Sequence, residues 1–484
     1  MTATLDTLLA ALRAEGLLVQ APADAHSPTA LTADSRAVTP GAAYVAVRGA
    51  VADGHAYLAD AARRGAGLAF VEAPQPVALP QVVVRDGRRA AIVLGRAWHG
   101  DPGAALALVG VTGTNGKTTT TGLVRHLLNA HRSAGSIGTL GAFDGAGEPV
   151  PSTAGNLTTP GPIDLQATLA ALRGQGCTHV AMEASSHALD QGRLDGLALA
   201  AGVYTNLTRD HLDYHGTMEA YRAAKLKLST LLRLDGWEVV NADDRAWDAL
   251  PPRERRVTWG TDPAADVRAT ALELGASGSR FRIAGRFGEV DASIPLLGDF
   301  NVMNGLAAVA TGLALGQPLE LLARRLAESP QVPGRMEVLV DEGFVVLRDY
   351  AHTPDALERA LRTLRPLTRG RLIVVFGAGG DRDRGKRPIM GRLAAELSDL
   401  AVVTSDNPRT EDPERILDDI VAGMASAPRV RLADRRVAIA AALEAARPGD
   451  TVLLAGKGHE TYQVIGTDKL PFDEREIVRG LLAA

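Results

Sequence analysis

The residues with the clearest chemical content are Gly113-Thr114-Asn115-Gly116-Lys117-Thr118-Thr119. They follow an apolar run ending at Val109 and precede Leu123, Val124, Leu127 and Leu128 at helical spacing. Glycine-rich backbone between a strand and a helix lets peptide N–H groups converge on phosphate oxygens, and the helix N-terminus adds a favourable dipole. In that setting Lys117 reaches the β- and γ-phosphates of a nucleotide, and the Thr118 hydroxyl ligates Mg²⁺. The spacing departs from the usual Gly-x₄-Gly-Lys-Ser/Thr, because position 111 is Val and the near glycine is Gly113. The plainer alternative is a glycine-rich turn with an exposed lysine.

Three later residues could complete a nucleotide and metal site. Glu183 follows the apolar run His179-Val180-Ala181-Met182, where a carboxylate at a strand end can hold a divalent ion. His211 lies in Thr208-Arg209-Asp210-His211-Leu212-Asp213-Tyr214-His215, a loop dense in metal-ligating side chains. Lys225, in Ala223-Ala224-Lys225-Leu226-Lys227, reads on its own as a surface lysine of a helix.

These groups need a scaffold, and 484 residues exceed what one hydrophobic core supports, so two to four domains are expected. Strand and turn signals divide the chain into blocks at 1–102, 103–333 and 334–484. The first mixes short strands and helices and contains Asp34-Ser35-Arg36 and the strand-like Ala43 to Val47. The second carries buried strands at His179 to Met182 and Ala201 to Tyr204. The third has strands at Phe344 to Leu347, Leu372 to Phe376, Leu400 to Thr404 and Thr451 to Ala455. Apolar runs alternating with helical patterns give an α/β class with mainly parallel sheets, whose ligands gather beyond the carboxyl ends of the strands.

Composition narrows the function classes. A net charge of −4 gives no footprint for nucleic acid. The lone Cys177 forms no intramolecular disulfide and reads as a small buried side chain. Leucines at 5, 8, 9 and 12, broken by Asp6 and Arg13, make an amphipathic helix and not a signal peptide. No segment has the roughly 18 apolar residues of a membrane span. The expectation is a cytoplasmic protein with no nucleic-acid partner and no membrane span.

Taken together these residues resemble the Mur ligases, the ATP-dependent enzymes that build the peptide of the bacterial cell-wall precursor. The resemblance covers essentially the whole chain. The short loop Thr112 to Thr119 is that family's own variant, and further matches are Leu297-Gly298-Asp299-Phe300-Asn301-Val302-Met303-Asn304, Gly334-Arg335-Met336-Glu337 and Asp349-Tyr350-Ala351-His352-Thr353-Pro354. The most similar branch adds the third amino acid to UDP-N-acetylmuramoyl-L-alanyl-D-glutamate.

The resemblance implies three α/β domains. These are a small one for the UDP-muramoyl substrate, a central parallel-sheet ATPase domain with the phosphate loop, and a Rossmann-like C-terminal one for the amino acid. It implies catalysis by Lys117, His211 and Lys225, the last as a carbamate derived from CO₂. The metal set is Thr118, Glu183, His211 and carbamoylated Lys225, with Mg²⁺ and ATP as cofactors. Asn301, Asn304, Arg335 and Asp349 are implied to join the loop in binding nucleotide, with domain closure excluding water. The UDP-muramoyl substrate is assigned to Ser35, Thr158, Thr159, Ser185, Gln191 and Arg193. A monomer is expected.

The added amino acid is assigned to Arg387, Asp406, Asn407, Pro408, Arg409, Gly456 and Glu460. Asp406-Asn407-Pro408-Arg409 resembles the loop of enzymes that select meso-diaminopimelate. Arg409 can meet the far carboxylate of that substrate with two parallel charge-assisted hydrogen bonds. Lysine and ornithine lack this carboxylate, and a buried Arg409 left unpaired would cost about 2–5 kcal/mol. Addition of lysine or ornithine stays open as an alternative. So do a relative with the same ATPase core, such as a folylpolyglutamate synthase or MurF, and a nucleotide-dependent switch or transport ATPase.

Overall fold

In the computed structural model, which describes residues 3–49, 52–129, 133–151, 157–425 and 429–483, Leu5, Leu8, Leu9 and Leu12 form the buried stripe of helix α1 (Leu5–Ala14). The Thr4 hydroxyl accepts from the Thr7 N–H and caps that helix. Burying each leucine is worth about 1.5–3 kcal/mol, which fastens the helix to a five-stranded sheet. Its strands are β1 (Leu18–Gln20), β2 (Leu31–Thr32), β3 (Ala43–Val45), β4 (Leu68–Val71) and β5 (Gln81–Val84), in the order β1-β5-β4-β3-β2. Only β1 runs antiparallel to its neighbour. Helices α2 (Leu58–Arg63) and α3 (Gly87–His99) supply apolar residues to its two faces.

The second sheet is built on β6 (Ala107–Thr112), β7 (Ala134–Gly138), β8 (Gly141–Phe143), β9 (Pro149–Val150), β10 (His179–Glu183), β11 (Leu199–Tyr204), β12 (Leu232–Asn241) and β13 (Arg256–Gly260). These eight strands of an eleven-stranded sheet lie in the order β13-β12-β11-β6-β10-β7-β8-β9, parallel from β13 to β7 and antiparallel through the two hairpins at the end. Helices α4 (Lys117–Leu128), α5 (Pro162–Gly174), α6 (Ser186–Asp190), α7 (Leu212–His215) and α8 (Met218–Leu226) follow strand ends of this sheet. Cys177 lies in its apolar core, as expected.

Next along the chain come β14 (Val267–Gly275), β15 (Gly278–Gly285), β16 (Gly288–Ile294), α9 (Asp299–Ala314) and α10 (Leu319–Ala327). A further sheet contains β17 (Glu337–Glu342), β18 (Phe344–Asp349), β19 (Leu372–Phe376), β20 (Leu400–Val403), β21 (Arg429–Arg431) and β22 (Thr451–Ala455) in the order β17-β18-β22-β19-β20-β21. Only β17 is antiparallel to its neighbour. Its faces carry α11 (Pro354–Leu364), α12 (Lys386–Leu397) and α13 (Pro413–Val421) on one side, and α14 (Arg435–Ala445) on the other. The chain finishes with a hairpin, β23 (Tyr462–Ile465) and β24 (Asp468–Pro471), and helix α15 (Glu474–Leu482), which packs on the α14 side.

The backbone groups into two compact units, one of Met1–Thr270, Ile283–Val290 and Asn304–Leu326, the other of Ala271–Arg282, Asp291–Met303 and Ala327–Ala484. The first two sheets share a unit because Ile163 of α5 is part of the apolar cluster beneath the first sheet, alongside Ala90, Ala91 and Leu94 of α3. Among the described residues no helix is long and apolar enough to cross a membrane.

Candidate active site

The phosphate loop occupies the gap between the last residue of β6 and the first of α4. Gly113 sits at φ 149°, and a Cβ there would stand 1.8 Å from the Thr205 hydroxyl oxygen, so only glycine fits. Residues just past β11 hold the loop in shape. Thr205 donates to the Asn115 carbonyl at 2.7 Å, Asn206 Oδ1 accepts from the Asn115 N–H at 3.0 Å, and the Asn206 carbonyl accepts from the Thr114 N–H at 2.7 Å. Lys117 Nζ lies over the loop, donating to the carbonyls of Gly113 and Thr114 at 2.9 and 2.8 Å. Thr118 and Thr119 are buried at the start of α4. Asn304 is brought to the same helix, its Oδ1 3.4 Å from the Thr120 hydroxyl.

Lys225 corrects the surface reading of its local sequence. It is 1 % exposed, and its Nζ donates to the Gly113 carbonyl at 2.6 Å while lying 4.5 Å from the centre of the Tyr221 ring. Helix α8 explains this, since Tyr221, Ala224 and Lys225 form its buried face. Burial, with the Lys117 cation nearby, pushes the Lys225 amine well below the usual lysine range and favours its neutral form. Lys227 points outward and pairs with Asp190 at 2.8 Å.

Glu183 ends β10 and is 2 % exposed. Its Oε1 accepts from the Thr139 N–H at 2.8 Å, and the Thr139 hydroxyl lies 3.2 Å from its Oε2 and 3.1 Å from the Thr158 hydroxyl. Gly138 makes room for this carboxylate, since a Cβ there would stand 2.3 Å from Oε1. His211 occupies the left-handed region at φ 53°, a costly conformation for a non-glycine residue, at the start of α7. Burial pushes its pKa down, and the Lys117 cation adds to this against the opposing effect of Asp210. Its ring packs edge-on to His187 at 4.9 Å, and burial next to His211 and His215 brings His187 down to about 4.

Among the described residues no group of three or more His, Cys, Asp or Glu is arranged to hold a metal ion. The expected set contains only two such side chains, Glu183 and His211. A hydroxyl, a carboxylate and further oxygens from nucleotide phosphates form a donor set typical of Mg²⁺, which rarely has an all-protein cage. The buried Thr118 and Glu183 fit that chemistry.

The residues expected to meet the UDP-muramoyl substrate form a connected group, apart from Ser35. Thr159 donates to the Glu183 carbonyl at 2.7 Å and lies 3.2 Å from the Ser185 hydroxyl. Arg193 grips the Gln191 amide oxygen through Nε and Nη2 at 3.0 and 2.7 Å and donates from Nη1 to the Thr159 carbonyl. Gln191 in turn donates to the Tyr214 hydroxyl at 3.2 Å. Ser35 is buried in a short 3₁₀ turn capped by Asp34 in the first sheet's layer. Arg88 of α3 donates to the Gln191 carbonyl at 3.2 Å and links that layer to the group.

Within the second unit, Asn301 donates to the Leu297 carbonyl at 2.8 Å, and Arg335 stands 4.8 Å from the Tyr350 ring centre. Asp349 accepts from the Met336 N–H at 2.7 Å, and burial raises its pKa. Beyond the ends of β19, β20 and β22 lie the residues assigned to the amino acid. Arg409 is half-buried where the sequence reading had it buried, because only one arm of its guanidinium is anchored. That arm donates from Nη1 to the Gly380 carbonyl at 2.8 Å, and Nε and Nη2 have no acceptor among the described residues. Its backbone, at φ 51°, bonds to Val464 and Gly466 of the terminal hairpin. Arg387 is fully buried, with Nη1 and Nη2 on Glu411 at 3.0 and 2.9 Å and Nη1 on Asp419 at 2.9 Å. It supports the Gly379–Gly380 turn on which Arg409 rests, through a 3.3 Å bond to the Gly379 carbonyl. Asp406, Asn407 and Pro408 are buried, Glu460 is half-buried, and Gly456 lies against Asp406.

Sequence reasoning passed over Thr139, Thr205, Asn206, Tyr221 and Lys457. Each acts on a site residue distant in sequence, and only the strand-end position of Thr205 and Asn206 gave a local signal.

Three family profiles match the chain: the Mur ligase family catalytic domain at residues 28–99, the Mur ligase middle domain at 111–312, and the Mur ligase glutamate ligase domain at 334–458. The chain is 45% identical to the UDP-N-acetylmuramoyl-L-alanyl-D-glutamate--2,6-diaminopimelate ligase of Synechococcus elongatus, with 99% of both chains covered. It is 44% identical to the ligase of the same name from Geobacillus kaustophilus, covering 93% of this chain and 94% of that one. A solved structure of a ligase of that name superimposes with a TM-score of 0.67 at 34% identity, covering 100% of this chain and 99% of the other.

Proposed function

Since this chain belongs to the Mur ligase family, we propose that it is an ATP-dependent ligase joining meso-2,6-diaminopimelate to UDP-N-acetylmuramoyl-L-alanyl-D-glutamate, in the making of peptidoglycan precursor. The chemistry has two stages. The free carboxylate of the dipeptide attacks the γ-phosphate of ATP, giving an acyl phosphate and ADP; the amine of the diamino acid then displaces phosphate. Activation turns a poor leaving group into a good one.

Lys117 and the N–H groups of Gly113 to Thr119 would hold the phosphates, with Asn301, Asn304, Arg335 and Asp349 on the nucleotide. Ser35, Thr158, Thr159, Ser185, Gln191 and Arg193 would hold the UDP-muramoyl dipeptide. Arg409 would receive the far carboxylate of diaminopimelate on the guanidinium edge that has no acceptor among the described residues. Arg387, Asp406, Asn407, Pro408, Gly456 and Glu460 would complete that pocket. Thr118, Glu183, His211 and a carbamate on Lys225 would hold Mg²⁺, which when bound supplies positive charge against the crowded phosphate and carboxylate oxygens. We place the domain boundaries at 1–102, 103–333 and 334–484, and the enzyme in the cytoplasm.

The observation that carries this reading is the position of Lys225. Its amine is buried, is favoured in the neutral form that reacts with CO₂, and lies 2.6 Å from a phosphate-loop carbonyl. A carbamate there, formed when the neutral amine adds CO₂ and loses a proton, would put an anion where a metal and γ-phosphate would meet. The test is coupling: phosphate should be released from ATP only when both the dipeptide and the amine are present. Steady ATP hydrolysis without either would point to a switch or transport ATPase instead.

A further inference from the structure

Lys457 is a fully buried lysine that no role above uses. It lies two residues past the end of β22, and its Nζ faces three acceptors: Asn407 Oδ1 at 3.1 Å, Glu460 Oε2 at 3.4 Å and Asp406 Oδ1 at 3.6 Å. The ammonium donates to the Asn407 amide oxygen and to Glu460, and Asp406 lies in ion-pair range, so its charge is shared between two carboxylates and an amide.

The amide of Asn407 has one orientation that satisfies its surroundings. Its Oδ1 accepts from Lys457 and from the Val464 N–H at 2.9 Å, so its Nδ2 must face Glu460 Oε2, also at 2.9 Å. Lys457 therefore holds Glu460 twice, once directly and once through Asn407. Both bonds fall on Oε2, which leaves Glu460 Oε1 without a protein partner among the described residues. With one lysine between Asp406 and Glu460, the cluster carries one net negative charge. Glu460 is half-buried where Lys457 is not exposed at all, so the open oxygen lies on the accessible side.

We propose that Lys457 is a positioning residue for acceptor recognition: it fixes Glu460, directly and through Asn407, so that Oε1 is presented to the far ammonium of the diamino acid. The inference rests on the ligase reading above and adds a residue and a mechanism of selectivity to it.

The test compares wild type, Lys457→Met, Glu460→Gln and the double variant, measuring KM for diaminopimelate, lysine, ATP and the UDP-muramoyl dipeptide. Lys457→Met should raise the diaminopimelate KM by about 30-fold or more, the scale set by releasing one partner of a buried charge cluster. KM for ATP and for the dipeptide should stay within about threefold, which also shows that the protein is folded. Because Lys457 acts through Glu460, the double variant should be no worse toward diaminopimelate than Glu460→Gln alone. Should the single Lys457→Met variant fail to fold, the double variant, whose net charge matches wild type, is compared with Glu460→Gln by itself. Losses that multiply in the double variant, or a diaminopimelate KM unchanged by Lys457→Met, would overturn the proposal. A wild type that prefers lysine would overturn the acceptor reading instead, and the positioning claim is then read from the lysine KM, since that substrate carries the same far ammonium.

Discussion

The amine of Lys225 donates to the carbonyl oxygen of Gly113 at 2.6 Å, although 112 positions separate them in sequence. Helix α8 delivers a lysine into the phosphate loop that the strand β6 and helix α4 frame, so the loop and the residue proposed to carry the carbamate are one structural feature.

Lys225→Ala should lower kcat by about 10²–10³, the scale of removing a preorganised charge from an active site. A short carboxylic acid or bicarbonate diffusing into the vacated space should restore part of it. Steady-state assays with and without added acetate check this, and full activity in the variant would remove the carbamate from the account.

Gly138→Ala places a methyl group 2.3 Å from Glu183 Oε1, with Cγ and Cδ of the same side chain also in the way. The carboxylate must move, and it has little room because it is buried. The Mg²⁺ concentration for half-maximal activity should rise by about 10–100-fold, as for changes that reorient a metal ligand. A magnesium titration with an unchanged midpoint would mean that Glu183 is not a ligand.

Legibility in the sequence followed the range of the interactions. The strand–turn–helix at Gly113 to Thr118 was readable because its glycines, lysine and helix start lie within a few residues, and α4 begins at Lys117 as expected. Strands Leu372–Phe376 and Thr451–Ala455 were readable as uninterrupted apolar runs. Lys225 looked like a surface lysine because what buries it, the loop at Gly113, is far away in sequence. Lys457 was invisible for the same reason, since two of its three partners lie 50 or so positions earlier, in the loop after β20. The half-exposure of Arg409 depends on a hairpin that bonds its backbone and leaves its side chain with one anchor.

The Arg387–Glu411 pair gives a pH signature. Hydrogen bonds from Arg387 hold the Glu411 carboxyl down at about 2, against an ordinary value of 4.5. A depressed carboxylate stabilises the fold fully above its unfolded pKa, and that contribution is lost as pH falls through the folded value. Arg387→Leu should therefore unfold at a lower temperature than wild type at neutral pH, and the gap should narrow between pH 4.5 and 2. Thermal melts across that range check it; a gap independent of pH would mean that the pair contributes only packing.

Arg409→Ala should cost diaminopimelate about 2–5 kcal/mol in kcat/KM, the loss expected when a charged, hydrogen-bonded partner is removed. Lysine, which has no far carboxylate, should be affected far less. Parallel kinetics with both amines decide this, and equal losses would take Arg409 out of recognition.

The most direct measurement supplies UDP-N-acetylmuramoyl-L-alanyl-D-glutamate, ATP and Mg²⁺, offers meso-diaminopimelate, lysine and ornithine in competition, and reads the products by mass. The expected result is one dominant product, the diaminopimelate-extended nucleotide, formed with one ADP for each amide bond. Preferential addition of lysine or ornithine would contradict the assigned acceptor, and ADP formed with no extended nucleotide would contradict the ligase itself.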